Sequence, residues 1–373
     1  MNQYVLFIIG AFVISMLCGF VSIPLIINFC KKRKLYDQPN ARKIHSNGIP
    51  RLGGICFLPS MILAFLIAMV AFNGTTGGNE ITVSIWSVFF FISLLLIYAV
   101  GLIDDIVSLG PKTKFAAQIV AATLLPASGL YINNLYGFMG VYELPFYVGA
   151  PLTVLTIVFI DNAINLIDGI DGLAGGLSFI ALAGFLNCFA REGIWTYCIL
   201  ITGLMGVLIA FLYFNIVGGK NNSMKIFMGD SGSLTLGFIL GFLLVKFSMD
   251  NPNVMPFRRD GLMLSYTLVA IPILDVFRVI LVRLRHRKPL FGADKNHIHH
   301  KLMRAGLTQR QALVVILAMA LAYIAVNRLL FGVMYFSSVV VVDIALWLVF
   351  HAAINHFIRR NGQKVFFTDS NND

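Results

Sequence analysis

Residues 158–177 read VFIDNAINLIDGIDGLAGGL. Asp161, Asn162, Asn165, Asp168 and Asp171 fall within eleven residues of an otherwise apolar run. A carboxylate at membrane depth costs about 2.5–3.5 kcal/mol even on lenient insertion scales, so three of them need a purpose. Asn162, Asn165, Asp168 and Asp171 recur at every third position, a spacing that drifts by about 60° per step on a regular helix. Gly169, Gly172, Gly175 and Gly176 predict that the helix opens there and exposes backbone. Hard oxygen ligands on a loosened helix end that faces water suit Mg²⁺ and a diphosphate. The plainer alternative is a polar contact between helices, which rarely requires three acids.

The rest of the composition explains what surrounds this stretch. Of 373 residues, 58% are hydrophobic and only 12% are charged, against about 25% charged in a soluble domain. The chain therefore reads as an all-α integral membrane protein, a single polytopic domain over residues 1–373. The net charge of +11 lies in loops, so no nucleic-acid partner is expected. The five cysteines are scattered through apolar runs or at their edges, without metal spacing or a disulfide framework, and read as packing residues. Residues 1–29 are too long and too poor in early basic residues for a cleaved signal, and read as a first span.

Apolar runs of span length predict about eleven transmembrane helices. They lie near 4–29, 52–72, 83–103, 115–131, 146 into the acidic stretch, 173–190, 194–214, 233–247, 262–284, 311–330 and 334–357. An external turn or hairpin is expected at 132–144. With Arg283, at the inner end of its span, counted as inner, all but six of the 28 Lys and Arg fall in the inner segments of this layout or in the polar tail. Arg191, Arg258 and Arg259 fall in outer segments, and Lys246, Arg278 and Arg328 within spans. The bias puts the amino terminus outside, the carboxyl terminus in the cytoplasm, and cytoplasmic loops at about 31–51, 104–114, 161–172, 215–232 and 285–310.

That layout gathers every unusual polar cluster on the cytoplasmic face. Asp104 and Asp105 are adjacent acids at a helix end. They are either a solvated pair or a pair whose repulsion calls for a cation or a shared proton. Lys114 follows ten residues on and suits a phosphate as a point charge. Gly229-Asp230-Ser231-Gly232-Ser233 reads as a loop before a helix, in which Asp230 is a cap or an Mg²⁺ ligand. His297, His299 and His300 stand among Arg285, Arg287, Lys288, Lys295, Lys301 and Arg304. A basic phosphate cradle fits this segment better than zinc, which wants three or four supported ligands. In the loop 31–51, Lys31 to Lys34 are topogenic, while Arg42, Lys43, His45 and Arg51 form a second basic wall. Acids for Mg²⁺, basic residues for polyphosphate and a membrane–cytosol position point to phosphoryl transfer between a nucleotide compound and a lipid phosphate.

DDIVSLGPKTK, NAINLIDGIDGLAGG, MGDSGS and DKNHIHHKL resemble, in order and spacing, the motifs of the polyprenyl-phosphate N-acetylhexosamine-1-phosphate transferase superfamily, of the MraY–WecA–TagO type. The resemblance spans about residues 40 to 310, and the HIHH form is similar to the WecA/TagO-like branch. It implies transfer of N-acetylglucosamine-1-phosphate from UDP-N-acetylglucosamine (UDP-GlcNAc) to undecaprenyl phosphate. The products are UMP and undecaprenyl-diphospho-GlcNAc, and the cofactor is Mg²⁺, with Mn²⁺ as a substitute. It further implies a bacterial inner (cytoplasmic) membrane, the first membrane step of a cell-surface polysaccharide such as lipopolysaccharide O-antigen, and a homodimer.

Carried over by position, Asp104 and Asp105 match the paired acids, one of which deprotonates or positions the lipid phosphate. Lys114 matches a phosphate-binding lysine, Asn165 and Asp230 match Mg²⁺ ligands, and Asp168 and Asp171 match essential acids. His297, His299 and His300 match the loop that faces the sugar nucleotide, and Asn162, Lys43, His45 and Arg51 complete the expected substrate side. Asp161 has no counterpart. A phosphate monoester has a second pKa near 6 and is mostly dianionic at neutral pH. In-line attack by the lipid phosphate is therefore expected, ahead of an Asp105 phospho-enzyme. The rival readings are the same reaction with another UDP-N-acetylhexosamine or UDP-MurNAc-pentapeptide, a non-catalytic scaffold, and a secondary transporter, which would place its polar groups near the bilayer midplane.

Overall fold

The computed structural model describes residues 2–37, 48–76, 84–218, 224–252, 255–289 and 295–366. Lys43 and His45 lie outside the described residues. In lipid every backbone N–H and C=O must be satisfied within its own segment, and the apolar runs fold as helices accordingly. In chain order these are α1 (Asn2–Arg33), α2 (Phe57–Thr76), α3 (Ile85–Val107), α4 (Pro111–Ala127), α5 (Phe146–Ile167), α6 (Leu173–Arg191), α7 (Trp195–Ile216), α8 (Gly229–Ser248), α9 (Gly261–Arg285), the short α10 (Ile298–Arg304), α11 (Gln309–Leu330) and α12 (Phe336–Arg360). Among the described residues nine helices, all but α4, α9 and α10, are long and apolar enough to cross a membrane. The protein is an all-α, multi-pass membrane protein. Helix α4 is short at 17 residues, and α9 carries Asp275, Arg278 and Arg283 inside its length.

Two small antiparallel ribbons complete the fold. β1 (Tyr36–Asp37) pairs with β2 (Ile49–Pro50), Tyr36 opposite Pro50. β3 (Asn134–Phe138) and β4 (Val141–Glu143) form the hairpin expected at 132–144. It is tied to the far end of α8 by Asn133, whose amide donates to the Asp250 carbonyl (2.6 Å), and by the Tyr136 hydroxyl on the Ser248 carbonyl (2.9 Å).

Helix α8 is the pillar of the bundle: every residue from Ser231 to Ser248 is buried. Lipid is itself apolar, so close packing and interhelical hydrogen bonds hold such a helix in place. Phe90 of α3 stacks on Phe242 with ring centroids 3.9 Å apart. At the first turn the approach is closer still. A Cβ on Gly54 would lie 2.1 Å from the Gly232 Cα, and one on Gly101 would lie 2.6 Å from the Ser231 Cα. The start of α8 is therefore wedged between α3 and the 3₁₀ turn Gly53–Cys56. The N–H groups of Gly53 and Gly54 donate to the carbonyls of Phe227 and Met228 and align that turn.

The element boundaries correct several expectations. Asp104 and Asp105 are in the last turn of α3, not in a loop, and Lys112 and Lys114 are in the first turn of α4. Asp161, Asn162 and Asn165 are helical residues of α5, which ends at Ile167 as the glycines predicted; Asp168 is its C-cap. The segment 229–233 opens α8 and is not a loop. The histidine segment, read as loop, contains α10.

Candidate active site

The ends of α3 and α5 meet the starts of α4 and α8, and one acid of α3 and one of α8 meet there with one cation. Asp104 is buried, 5% exposed. One carboxylate oxygen accepts the Leu109 N–H (2.6 Å), which closes the turn into α4, and the other accepts from the Lys114 ammonium (3.0 Å). The same ammonium lies 3.4 Å from Asp230 Oδ1. Lys114 therefore joins two carboxylates that come from residues 126 positions apart. Asn165 reaches Asp230 from α5: its amide donates to Asp230 Oδ1 (2.6 Å) and to the Ser233 hydroxyl (2.8 Å).

Asp105 faces elsewhere. Its two oxygens accept the backbone N–H groups of Asp230 (2.8 Å) and Ser231 (2.9 Å). The first N–H groups of a helix have no intrahelical partner, and here a carboxylate from a different helix supplies one. Gly229, with φ +75°, makes the turn beneath it. Its would-be Cβ falls 2.6 Å from Asp105 Oδ2 and 2.2 Å from the carbonyl oxygen of the half-buried Arg51.

The opened end of α5 brings Asp168 and Asp171 to the same place. Burial first, and then the carboxylates of Asp230, Asp171 and Asp105, push the Asp168 carboxyl up to about 7. Asp171 is paired with Lys225 (2.6 Å). Gly172, φ +77°, starts α6, and its N–H donates to Asn215 Oδ1 (2.7 Å). Asn162 turns away from the acids. Its amide donates to Gln118 of α4 (2.8 Å) and to its own helix at the Val158 carbonyl. Asp161 is buried in α5 against Gly237 of α8.

The histidine segment is anchored by α9. Asp275, fully buried, accepts from His297 Nδ1 (2.8 Å), from the Ile298 N–H (3.0 Å) and from Arg278 (3.0 Å). Arg278 also donates to the Asn296 carbonyl. This anchor lays His299 directly over the central motif: a Cβ on Gly169 would be 2.2 Å from His299 Nε2. The His299 ring is 1% exposed, and among the described residues neither ring nitrogen has a hydrogen-bond partner. Burial, then His300 and His297, hold it far below the usual histidine range. His300 lines a cavity of about 490 Å³ with Lys295, Arg304, Asn361 and Gln363. Burial, then the charges of His297, Arg304 and Lys295, push its ring down to about 4. Both rings are neutral at pH 7.

The arrangement suits a hard divalent cation better than zinc. His297 Nδ1 is committed to Asp275, and the His297 and His299 rings are parallel with centroids 6.0 Å apart. Among the described residues no group of three or more His, Cys, Asp and Glu converges on one point. Two carboxylates, those of Asp104 and Asp230, do converge on the Lys114 ammonium, and the Asn165 amide bonds the second of them. Hard cations such as Mg²⁺ take one or two carboxylates and complete their shell from water and substrate phosphate. Sequence reasoning brought Asp104, Asp105, Lys114, Asn165, Asp168, Asp171, Asp230 and the three histidines to one end, and they are found together there. It missed Asp275, Lys225 and Gln118. A lone carboxylate in the apolar run 262–284 was the available signal for Asp275.

Residues 85–248 match the sequence profile of glycosyl transferase family 4. A Bacillus subtilis (strain 168) protein described as a probable undecaprenyl-phosphate N-acetylglucosaminyl 1-phosphate transferase is 31% identical over 85% of this chain and 83% of its own length. Two proteins described as undecaprenyl-phosphate alpha-N-acetylglucosaminyl 1-phosphate transferases are each 30% identical. The Yersinia pestis protein aligns with 76% of this chain and 73% of its own length, and the Escherichia coli (strain K12) protein with 77% and 74%. The matched region contains the cluster of Asp104, Lys114, Asn165 and Asp230, and the chain belongs to glycosyl transferase family 4.

Proposed function

We propose that the protein transfers N-acetylglucosamine-1-phosphate from UDP-GlcNAc to undecaprenyl phosphate, giving undecaprenyl-diphospho-GlcNAc and UMP. The reaction takes place at the cytoplasmic face of a bacterial inner membrane. It is the first membrane step of a cell-surface polysaccharide. In this reading α4 and α9 also span, giving eleven spans with the amino terminus outside. The observation that carries the proposal is Lys114 held between Asp104 and Asp230, beside Asn165. Such a set binds phosphate and a cation on one spot.

The chain's own residues account for the chemistry by position. The lipid phosphate is already dianionic near neutral pH, so no base has to create the nucleophile. One of its oxygens attacks the phosphorus bonded to the sugar. The bond from that phosphorus to the bridging oxygen breaks, and UMP leaves with the oxygen. Asp104 holds Lys114 where its charge meets the phosphates. Asn165 and Asp230 would hold Mg²⁺, which when bound would supply positive charge to the diphosphate. His299 offers two buried, unpartnered ring nitrogens to the donor. Asp105 has both oxygens occupied by backbone N–H groups and 3% exposure, which favours direct transfer over a phospho-enzyme on that residue.

The test is UMP release by purified protein in detergent with undecaprenyl phosphate, Mg²⁺ and UDP-GlcNAc, each omitted in turn. UMP only in the complete mixture supports the proposal. Release with a different sugar nucleotide in its place moves the substrate, and no release with any donor from folded protein overturns the reaction.

A further inference from the structure

Helix α10 carries His299 and His300, yet it is only seven residues long. Isolated helices shorter than about 12–15 residues are marginal even with favourable sequences. Its position must come from what it is docked on. Asp275 holds the start of the segment, and that leaves the rest of the helix to be fixed by other contacts.

Helix α10 packs on both α11 and α12, and polar contacts of its second half come from α12 and the residues after it. Lys301 points away from the acids and is 1% exposed. Its ammonium donates to Asn355 Oδ1 of α12 (2.6 Å), lies 3.3 Å from His351 Nδ1, and sits 5.4 Å from the centre of the Phe366 ring. At the end of α10 the Asn361 amide donates to the Ala305 carbonyl (2.9 Å), and Arg304 donates to the Lys364 carbonyl (3.3 Å). Asn361 and Gln363 then form part of the wall of the cavity that His300 lines. A buried lysine held on neutral groups is costly to keep unless the bond is used. Here it joins the helix that carries the histidines to the last helix of the chain.

We infer that Lys301 and Asn355 are positioning residues: their bond seats α10 on α12 and thereby sets His299 over Gly169 and His300 at the cavity. The inference rests on the reading of the histidine segment as the donor side of the proposed transferase. Neither residue touches the cluster around Lys114, so the effect falls on the donor and not on the lipid.

The experiment is Asn355→Leu in the purified full chain, read by kinetics and by amide hydrogen exchange. The KM for UDP-GlcNAc rises about tenfold, the loss expected for one buried hydrogen bond. The KM for undecaprenyl phosphate and kcat stay within about twofold. Exchange across residues 297–304 speeds up while that of α5 does not. Asn355→Asp, which keeps an acceptor for Lys301, restores both readouts. If Asn355→Leu does not give folded protein, Asn355→Ser, too short to reach Lys301, takes its place. Unchanged exchange at α10, or an equal rise in both KM values, overturns the inference. Hydrogen exchange needs no turnover. Wild-type protein that releases no UMP from UDP-GlcNAc therefore overturns the reaction, and the exchange result decides the seat separately.

Discussion

Asp105 of α3 accepts the backbone N–H groups of Asp230 and Ser231, and so caps the helix that carries a proposed metal ligand. Its neighbour Asp104 instead holds Lys114. The two acids are adjacent in sequence and do different work. Each buried N–H left stranded costs about 1–3 kcal/mol. Asp105→Ala therefore lowers the thermal midpoint, by the equivalent of about 2 kcal/mol or more, and activity falls with the fold. Asp104→Asn keeps the midpoint close to wild type and lowers kcat by about 100-fold or more, as loss of a group that holds transition-state charge does. Thermal unfolding in detergent beside UMP release separates the two.

The contact of Gly169 with His299 gives a steric prediction. Alanine at 169 places a methyl group 2.2 Å from His299 Nε2, and the buried ring has little room to retreat. Gly169→Ala lowers kcat/KM for UDP-GlcNAc by about 10- to 100-fold and also lowers the thermal midpoint, as overpacking that costs about 1–3 kcal/mol does. His299→Ala removes the obstacle. The double variant is then no worse than His299→Ala alone, the non-additivity expected of residues in contact.

Lys114 stands between two carboxylates, where a divalent cation would compete with it for the same charge. Lys114→Met removes that competitor and also the group that meets the phosphates. Mn²⁺ binding, followed by electron paramagnetic resonance, tightens several-fold while UMP release falls by at least about 100-fold. Weaker Mn²⁺ binding in the variant would show that Lys114 does not share the cation site.

The Asp168 carboxyl, pushed up to about 7, gives a pH dependence. Its folded pKa lies above the ordinary carboxylate value, so the neutral form prevails below pH 7 and the anion above it. If the anion is the active form, kcat/KM rises as pH passes upward through about 7 at low Mg²⁺. A bound cation favours the anion and moves that midpoint to lower pH as Mg²⁺ is raised. Asp168→Asn abolishes the limb. His300, near 4, is neutral throughout this range and does not contribute to it.

The sequence carried the outline of this site because the bilayer is a demanding solvent. Three acids among Ile and Leu, followed by glycines, predicted the break of α5 that places Asp168 at its C-cap. Charge bias in the loops put four motifs at one end. The jobs within each motif were not legible, because they depend on partners distant in the chain. MGDSGS has turn-forming composition, yet it is helical here because Asp105 caps it from another helix. Asn162 fits the three-residue repeat of polar positions, yet it bonds Gln118 and not the acids. The histidine segment was legible as a basic cradle, but nothing local in the sequence links it to Asp275 and Asn355, which bond it from two different spans.

The most direct measurement follows the sugar-linked phosphate of UDP-GlcNAc. Donor labelled at that phosphorus is given to purified protein with undecaprenyl phosphate and Mg²⁺, and the products are separated. The account predicts that all transferred label enters the lipid, that UMP is released unlabelled, and that no labelled protein forms. Label released as UDP would mean that the sugar moves without its phosphate, and label trapped on the protein would mean a covalent step. Either result would contradict direct attack at the cluster built by Asp104, Lys114, Asn165 and Asp230.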